Sequence, residues 1–250
     1  MVVQHNLTAM NANRQLSGVT SAQAKSTEKL SSGYRINRAA DDAAGLSISE
    51  KLRSQIRGLD KAASNSQDGI SLVQVAEGAL NETHSILQRM NELATQAAND
   101  TNTSTDRASI QKEMDQLTSE IDRIRSTTQF NSMNLLDGTF TGMKLQVGAL
   151  SGQSIVISID NMNASSLKIS GLKVSSFSSA GKAMTAIQKA INSVSVQRSK
   201  LGAIQNRLEH TINNLNTTSE NTSAAESRIR DVDMATEMVE YSKNNILAQA

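Results

Sequence analysis

The sequence predicts a mainly α-helical fold: an elongated antiparallel helical bundle or coiled coil with a small β-hairpin region and with paired N- and C-terminal helices. Two observations support this prediction. The 250 residues include no proline, so the strongest helix breaker is missing from every position. Long stretches also repeat apolar residues every three and four positions, which is the spacing of one helix face. Aromatic residues make up only 2% of the chain, so we expect a core of aliphatic side chains.

The first predicted helix runs from Leu7 to Leu30 and has a weak apolar period through Met10 and Leu16. A helix with so weak an apolar face needs a partner, and we expect that partner to be the far C-terminal helix. Gly33 is predicted to end the first helix, because glycine readily takes the left-handed conformation of a C-terminal cap.

A polar connector of about ten residues follows, over residues 33–42. Asp41 and Asp42 are predicted to supply the N-cap and the first-turn negative charge of the next helix. The large polar side chains before them are Tyr34, Arg35, Asn37 and Arg38. From the residues alone, a contact surface and a plain solvated linker remain equally open.

Residues 41–98 predict one long helix, because they contain no proline and their apolar residues recur every seven positions. These residues are Val73, Leu80, Leu87 and Ala94. The polar, turn-prone residues 99–106 break the helix and supply caps for the next one. Apolar residues spaced four and three apart then predict a second helix that folds back antiparallel on the first: Ile110, Met114, Leu117, Ile121 and Ile124.

The apolar period changes from helical to alternating in the middle of the chain, which predicts a β-hairpin. The alternating residues are Met143, Leu145 and Val147 before the turn and Ile155, Ile157 and Ile159 after it. Further short strand is predicted at Leu167, Ile169, Leu172 and Val174, and loop over residues 175–181. From residue 183 a helical period returns through Ile187, Val194, Leu201, Leu208 and Leu215 and continues to the end of the sequence.

Composition and motifs argue against several classes of function. With 25 Lys and Arg against 24 Asp and Glu, interspersed along the chain, we expect no nucleic-acid or membrane partner. His5, His84 and His210 belong to no metal-ligand spacing, so no metal site and no other cofactor are expected. Asp231 and Asp233 point to different faces of a predicted helix, so they would make a poor acid–base pair. The sequence also contains no nucleotide-binding motif and no catalytic-nucleophile motif. We therefore expect no catalytic residues and no enzymatic activity. The N-terminus does not resemble a secretory signal peptide.

Four stretches in this order are similar to bacterial flagellin, the subunit of the flagellar filament: LSSGYRINRAADDAAGLSISEKLRSQIRGL, NSQDGISLVQVAEGALNETHSILQRMNELA, LGAIQNRLEHTINNL and AAESRIRDVDMATEM. The resemblance implies a structural protein that is secreted through the flagellar type III system and assembles with itself in the extracellular filament. It also implies an export chaperone, a cap and hook-associated proteins as partners. A hook–filament junction adaptor, which forms no long polymer, is the alternative function.

The resemblance further implies a domain division and a role for the connector. The implied parts are 1–32 as the N-terminal half of an inner coiled-coil domain, 33–42 as a connector that packs against neighbouring subunits, 43–180 as two helices plus a β-hairpin of a middle domain, 181–224 as its returning helix, and 225–250 as the C-terminal half of the inner domain. The outer variable domains of longer members are absent, as in a short form. Family members continue into a further helical segment, so the inner domain is expected to be cut short after Ala250.

The same resemblance implies that Toll-like receptor 5 binds the middle domain. The family's key contacts fall on Arg89, Leu93 and Glu113, and neighbours on that surface match Gln88, Gln96 and Ile110. Asn91 stands where many receptor-competent members have arginine. Spacing alone places Leu93 and Ile110 on or beside the apolar stripes, which favours a core role for both. We also expect residues 1–32 and 225–250 to be labile in the monomer.

Overall fold

The computed structural model describes residues 6–249, so His5 and Ala250 lie outside the described part of the chain. Its helices are α1 Leu7–Ser32, α2 Ala43–Ala97, α3 Ser104–Thr127, α4 Phe177–Arg230 and α5 Met234–Gln249. Its antiparallel strand pairs are β1 Gln129–Phe130 with β2 Met133–Asn134 and β3 Met143–Gln146 with β4 Ser154–Ile157. This confirms the predicted mainly helical class. Over residues 6–249, every helix is too short or too polar to cross a membrane.

The chain divides into two compact units, with boundaries after Gly58 and after Asn216, inside the two longest helices. The first unit contains the residues up to Gly58 and from Thr217 onward, and the second contains Leu59–Asn216. The five-part domain division implied by the resemblance stays a prediction.

The core of the second unit consists of the predicted apolar stripes. Val73, Leu80, Leu87 and Ala94 of α2 are completely buried, as are Ile187 and Val194 of α4. From α3, Ile110, Met114 and Ile121 join the same core. Each stripe recurs at three- and four-residue spacing, so a long run of buried side chains holds these three helices together.

The start of α3 shows how the predicted polar breaker works. Thr103 is the N-cap: its hydroxyl accepts a hydrogen bond from the Asp106 backbone N–H, and the Asp106 carboxylate accepts one from the Thr103 N–H. This reciprocal capping box satisfies amides that the first helical turn leaves free. The Thr103 bonds hold the pKa of Asp106 below its usual value.

The predicted hairpin is confirmed, and the region around it differs in detail. Met143 pairs with Ile157 and Gln146 with Ser154. The alternation holds on β4, where Ile155 and Ile157 are buried, but Met143 is exposed at the end of β3. The β1–β2 pair has only two residues a strand and lacks an alternating pattern that could have predicted it.

The strand predicted over residues 167–174 is wrong, although its apolar residues are buried. The segment forms turns, with Lys168 at a φ of 58°. Its backbone groups bond to a side chain of α3: the Val174 N–H donates to Gln111 (2.9 Å), and the Gln111 side-chain amide donates to the Leu172 carbonyl (2.9 Å). A loop whose backbone is satisfied in this way needs no strand partner.

The loop predicted over residues 175–181 is also wrong in part, because α4 already begins at Phe177. Ser176 and Ser179 exchange side-chain-to-backbone hydrogen bonds in both directions. This pairing caps the helix at its first turn.

In the first unit, α1 packs against α5, as predicted. The side chains buried in this unit include Ser26 of α1 and Asn244 of α5, which are polar and small or medium-sized. Lys29 forms an ion pair with Glu237 at 3.3 Å. Asp231 and Asp233 lie between α4 and α5, and not on a helix as predicted. Asp233 is the N-cap of α5, since its carboxylate accepts the Ala235 N–H at 3.0 Å.

Candidate functional site

The connector is tied by backbone hydrogen bonds to the junction between α4 and α5. The Arg35 N–H donates to the Arg230 carbonyl (2.7 Å), and the Val232 N–H donates to the Gly33 carbonyl (3.1 Å). Between these bonds, Tyr34 forms an antiparallel bridge with Asp231. The end of α1 and the start of α5 are therefore held together by a short two-stranded contact, which we call the latch (residues 33–35 and 230–232).

Arg230 is the central side chain of the latch. Its guanidinium lies 4.7 Å from the centre of the Tyr34 ring and donates to Glu50 of α2 at 2.9 Å. The Arg230 side chain is only 12% exposed, so water competes little for its charge. Arg35 donates to the Ile229 carbonyl from the connector side. Sequence reasoning did not find Arg230, because nothing local connects it to a connector almost two hundred residues away.

The two aspartates of the connector have different roles. Asp42 is a helix cap as predicted, since its carboxylate accepts the Gly45 N–H at 2.8 Å. Asp41 instead holds the loop before it, accepting the backbone N–H groups of Arg38 (2.9 Å) and Asn37 (3.1 Å). These bonds, first that of Arg38, lower the pKa of Asp41. The loop is therefore built around a carboxylate that stays ionised.

The predicted contact residues of the connector thus have partners within their own chain. Asn37 donates to the Tyr34 carbonyl, and Arg38 forms an ion pair with Glu28 at 2.9 Å. Ile36, which sequence reasoning did not single out, is 1% exposed and anchors the loop. The connector is therefore not a plain solvated linker. Arg35 and Arg38 still expose much of their surface, and the neighbour-contact role of the connector stays a prediction.

The predicted receptor surface lies on α2 and α3 and has an ion-pair network at its centre. Arg89 donates to Glu113 across the two helices at 3.0 Å and to Glu92 on its own helix at 3.1 Å. The side chains of Arg89 and Glu113 are about half exposed, and that of Glu92 is about two-thirds exposed. The carboxylates, first Glu92 and then Glu113, raise the pKa of Arg89 further above its ordinary value.

The other predicted receptor residues divide into surface and core. Gln88 and Gln96 are exposed, and Gln88 contacts His84 at 3.0 Å. Leu93 is 1% exposed and Ile110 is 7% exposed, which matches the core role that their spacing favours. In this conformation the two apolar residues support the surface from beneath.

The pair of terminal helices leaves many of its large apolar side chains in solvent. On α1 these include Leu7, Met10 and Leu16, and on α5 they include Met234, Met238, Val239, Ile246 and Leu247. Val239 and Ile246 are seven residues apart and share one helix face, 70% and 67% exposed. Buried Asn244 lies on a different side of the same helix.

Two family models match the two ends of the chain. Models of the bacterial flagellin N-terminal helical region and of the bacterial flagellin C-terminal helical region match residues 3–141 and 184–250. Flagellin of Halalkalibacterium halodurans is 55% identical over 252 residues, spanning 100% of this chain and 93% of the relative. Flagellin of Bacillus subtilis strain 168 is 51% identical, with the same two coverages.

Solved structures give the same result. The crystal structure of Bacillus cereus flagellin is similar with a TM-score of 0.53 and 34% identity, covering 65% of this chain and 94% of that one. A flagellar hook-associated protein from Vibrio parahaemolyticus has a TM-score of 0.63 at 14% identity, covering 76% of this chain and 100% of that one, which is a likeness of fold alone. The chain belongs to the bacterial flagellin family, whose members are structural proteins of the flagellar filament and not enzymes.

Proposed function

We propose that this chain polymerises into the flagellar filament for motility and that the paired helices α1 and α5 are buried between copies in the polymer. The observation that carries the proposal is how this helix pair packs, which is the reverse of the usual arrangement with apolar side chains inside. It buries small and polar residues such as Ser26 and Asn244, while many of its large aliphatic and methionine side chains are exposed. So many large apolar side chains in solvent favour an interaction site on this pair.

The physical driving force for assembly would be burial of these apolar faces. Apolar surface removed from water contributes about 25 cal/mol per Å², before the ordering costs of association. Val239 and Ile246 lie two helical turns apart on one face of α5, so a second copy can cover both through one helix contact.

Growth on filament seeds, followed by electron microscopy, tests the proposal. Ile246→Asp places a charge on an exposed position, so the monomer should keep its helical circular dichroism while growth stops. The matched control is Val196→Asp, which adds the same charge at an exposed apolar residue of α4 and should grow normally. Normal growth of Ile246→Asp would refute burial of this face in the polymer.

A hook–filament junction adaptor is the second candidate function, and the fold likeness to a hook-associated protein is the observation behind it. That likeness covers fold alone, whereas relatives at high identity are named flagellins or flagellar filament core proteins. A filament subunit adds without limit to seeds, but an adaptor stops after a limited ring. Filament length against time therefore separates the two candidates.

We also propose that the chain is exported by the flagellar type III system and meets an export chaperone, the cap and hook-associated proteins on the way to the filament. Its terminal helices have few buried residues of their own, which suits a chain that passes through export unfolded and orders against neighbours. Secretion should disappear in a strain without the flagellar type III apparatus. Undiminished secretion from such a strain would contradict this route.

The third part of the proposal is that Toll-like receptor 5 binds the α2–α3 surface centred on Arg89. A half-exposed arginine held between two carboxylates is a preorganised, directional donor, and arginine is enriched among binding hot spots. Gln88, Gln96 and Glu113 would surround it, while Leu93 and Ile110 would act through packing.

A binding assay with the receptor ectodomain tests this surface. Arg89→Ala should weaken binding at least about tenfold, which is the range of a hot-spot side chain. Arg123→Ala is the matched control, because Arg123 also lies exposed beside a glutamate, Glu120, on α3. Equal affinities of the two variants, with unchanged circular dichroism, would refute the assignment.

A further inference from the structure

We infer that Phe177 of one copy inserts into an apolar cavity beside β3 of a second copy, and that this contact helps to build the polymer. The inference deepens the proposed function, because it names a surface through which copies would join. It concerns only the second unit, Leu59–Asn216.

Phe177 is the inserted side chain. The chain has three phenylalanines, and Phe130 and Phe140 both line the cavity. Phe177 is the first residue of α4 and is 64% exposed. A ring held in water by a capped helix start costs hydrophobic free energy that a partner's cavity would recover.

The cavity has a volume of about 200 Å³ and almost entirely apolar walls. Cavities of roughly 150 Å³ lined by aliphatic and aromatic residues bind benzene, so this one has room for a phenyl ring. Its mouth carries the partly exposed thioethers of Met133 and Met143, and Leu72, Leu145 and Ile157 are among its walls. Methionine adapts its shape and makes favourable contacts with aromatic rings.

Phe177 cannot fill the cavity of its own copy. The cavity is lined by Gly69, and a Cβ added at Gly69 would lie 3.3 Å from Leu208 of α4. Along α4, residues 177 and 208 are roughly 45 Å apart at about 1.5 Å per residue. The contact therefore joins two different patches on two copies, and such a heterologous contact produces an open helical polymer when the rotation does not close.

Charge around the two patches supports a second copy as the partner. Charges of both signs are interspersed over the chain as a whole, but between Asp160 and Glu209 there are seven Lys or Arg and no acidic residue. Lys168, Lys182 and Lys189 line the surface depression that also contains Phe177. Residues 60–122, by contrast, contain eleven acidic and four basic residues.

The cavity itself lies beside the later part of α2, whose residues 60–97 include five acidic and two basic residues. Asp68 lines it and is exposed, and within residues 6–249 its carboxylate has no hydrogen bond or ion pair. Lys144 lines the same cavity, so the charge at its mouth is mixed, and the acidic excess comes from the surrounding helix. The lysines around the Phe177 ring of one copy would then face the excess of negative charge beside the cavity of the other copy.

Disulfide trapping in filaments grown on seeds tests the contact, and the chain has no cysteine to give a background. Ser178→Cys beside the ring and Lys144→Cys at the cavity, both exposed positions, are combined in one variant that keeps Phe177. Because a disulfide needs Cα atoms about 4.4–6.8 Å apart, oxidation should give a ladder of linked multimers on a non-reducing gel. Each single-cysteine variant should stay monomeric on the gel. The contact brings position 178 of one copy to position 144 of another, so two identical cysteines do not face each other.

The matched control combines Ser195→Cys on α4 with Lys144→Cys and should give no ladder. Adding Phe177→Ala to the trapping variant should remove most of its ladder, because the side chain that guides the approach is gone. Filaments that show no ladder would overturn this contact alone. Failure of the chain to grow on seeds would overturn the proposed function and this contact with it.

Discussion

Replacing Arg230 by alanine should loosen the latch without disturbing the core of the second unit. Arg230 is mostly buried, lies 4.7 Å from the Tyr34 ring centre and bonds to Glu50 at 2.9 Å. Truncation removes both interactions at once. It leaves the backbone bonds of Arg35 and Val232 to hold the latch unaided.

The expected cost follows from the surroundings of the two interactions. A partly desolvated cation–π contact contributes about 1–2 kcal/mol. The bond to Glu50 adds roughly 0.5 kcal/mol, since Glu50 is half exposed and an exposed ion pair is screened by water. The free energy of local opening should therefore fall by about 2 kcal/mol, which corresponds to roughly a 30-fold rise in the open population.

Amide hydrogen exchange measures that opening directly. The amides of Arg35 and Val232 should exchange roughly 30 times faster in Arg230→Ala, while the amides of residues 70–98 should not change. Arg228→Ala is the control, because Arg228 is exposed and two residues away on the same helix. Unchanged exchange at Arg35 and Val232 would refute the view that Arg230 stabilises the latch.

Four further outcomes are expected. Gly33→Ala should loosen the end of α1 by about 1–2 kcal/mol in hydrogen exchange, because φ is +74° and an added Cβ meets nothing within 4 Å, so the whole effect is backbone strain; no change would contradict this. Leu87→Ala should lower the free energy of unfolding in urea by about 2–5 kcal/mol, against a small effect of Val75→Ala at a partly exposed position of the same helix. Thr103→Ala should cost about 1 kcal/mol as a lost N-cap. Since the Thr103 bonds lower the pKa of Asp106 from 3.8, the contribution of the ionised carboxylate is present above that pH and lost as pH falls through the folded-state pKa. The gap between wild type and variant should therefore narrow in acid urea titrations, although the bond from the Asp106 N–H to the Thr103 hydroxyl keeps part of it; a constant gap would refute the coupling. Residues 6–32 and 225–249 should exchange faster than residues 70–98 in the monomer, and equal protection would contradict the predicted lability of the terminal helices.

Periodic features of the fold could be predicted from the sequence because each one depends on residues close together in the chain. The seven-residue spacing of Val73 to Ala94 requires only a helix and a partner, and the structure buries all four residues of that stripe. The caps at Gly33 and Asp42 follow from local backbone chemistry in the same way. Leu93 illustrates the strength of spacing, since its period favoured the core and the side chain is buried.

The features that could not be predicted depend on residues far apart in the chain. The alternating apolar residues from 167 to 174 resemble a strand, but Gln111 of α3 supplies hydrogen bonds that a neighbouring strand would have made. The polar residues of the connector likewise meet Arg230 and Ile229, which the sequence places beyond two helices and a hairpin. Local patterns identify which groups need partners, and only the tertiary structure identifies the partners.

The residues that hold the helix pair together, among them buried Ser26 and Asn244, differ from the exposed residues of its apolar face. Residues 7–18 of α1 are all exposed, whereas Ser26 is buried and Lys29 pairs with Glu237 close to the latch. Ile246 lies near the distal end of α5, where its side chain contributes little to the pair. Arg230→Ala and Ile246→Asp should therefore act independently, since distant sites without shared partners are additive. The first loosens a helix pair that can still offer its apolar face to another copy, while the second blocks that face on a pair that is still held.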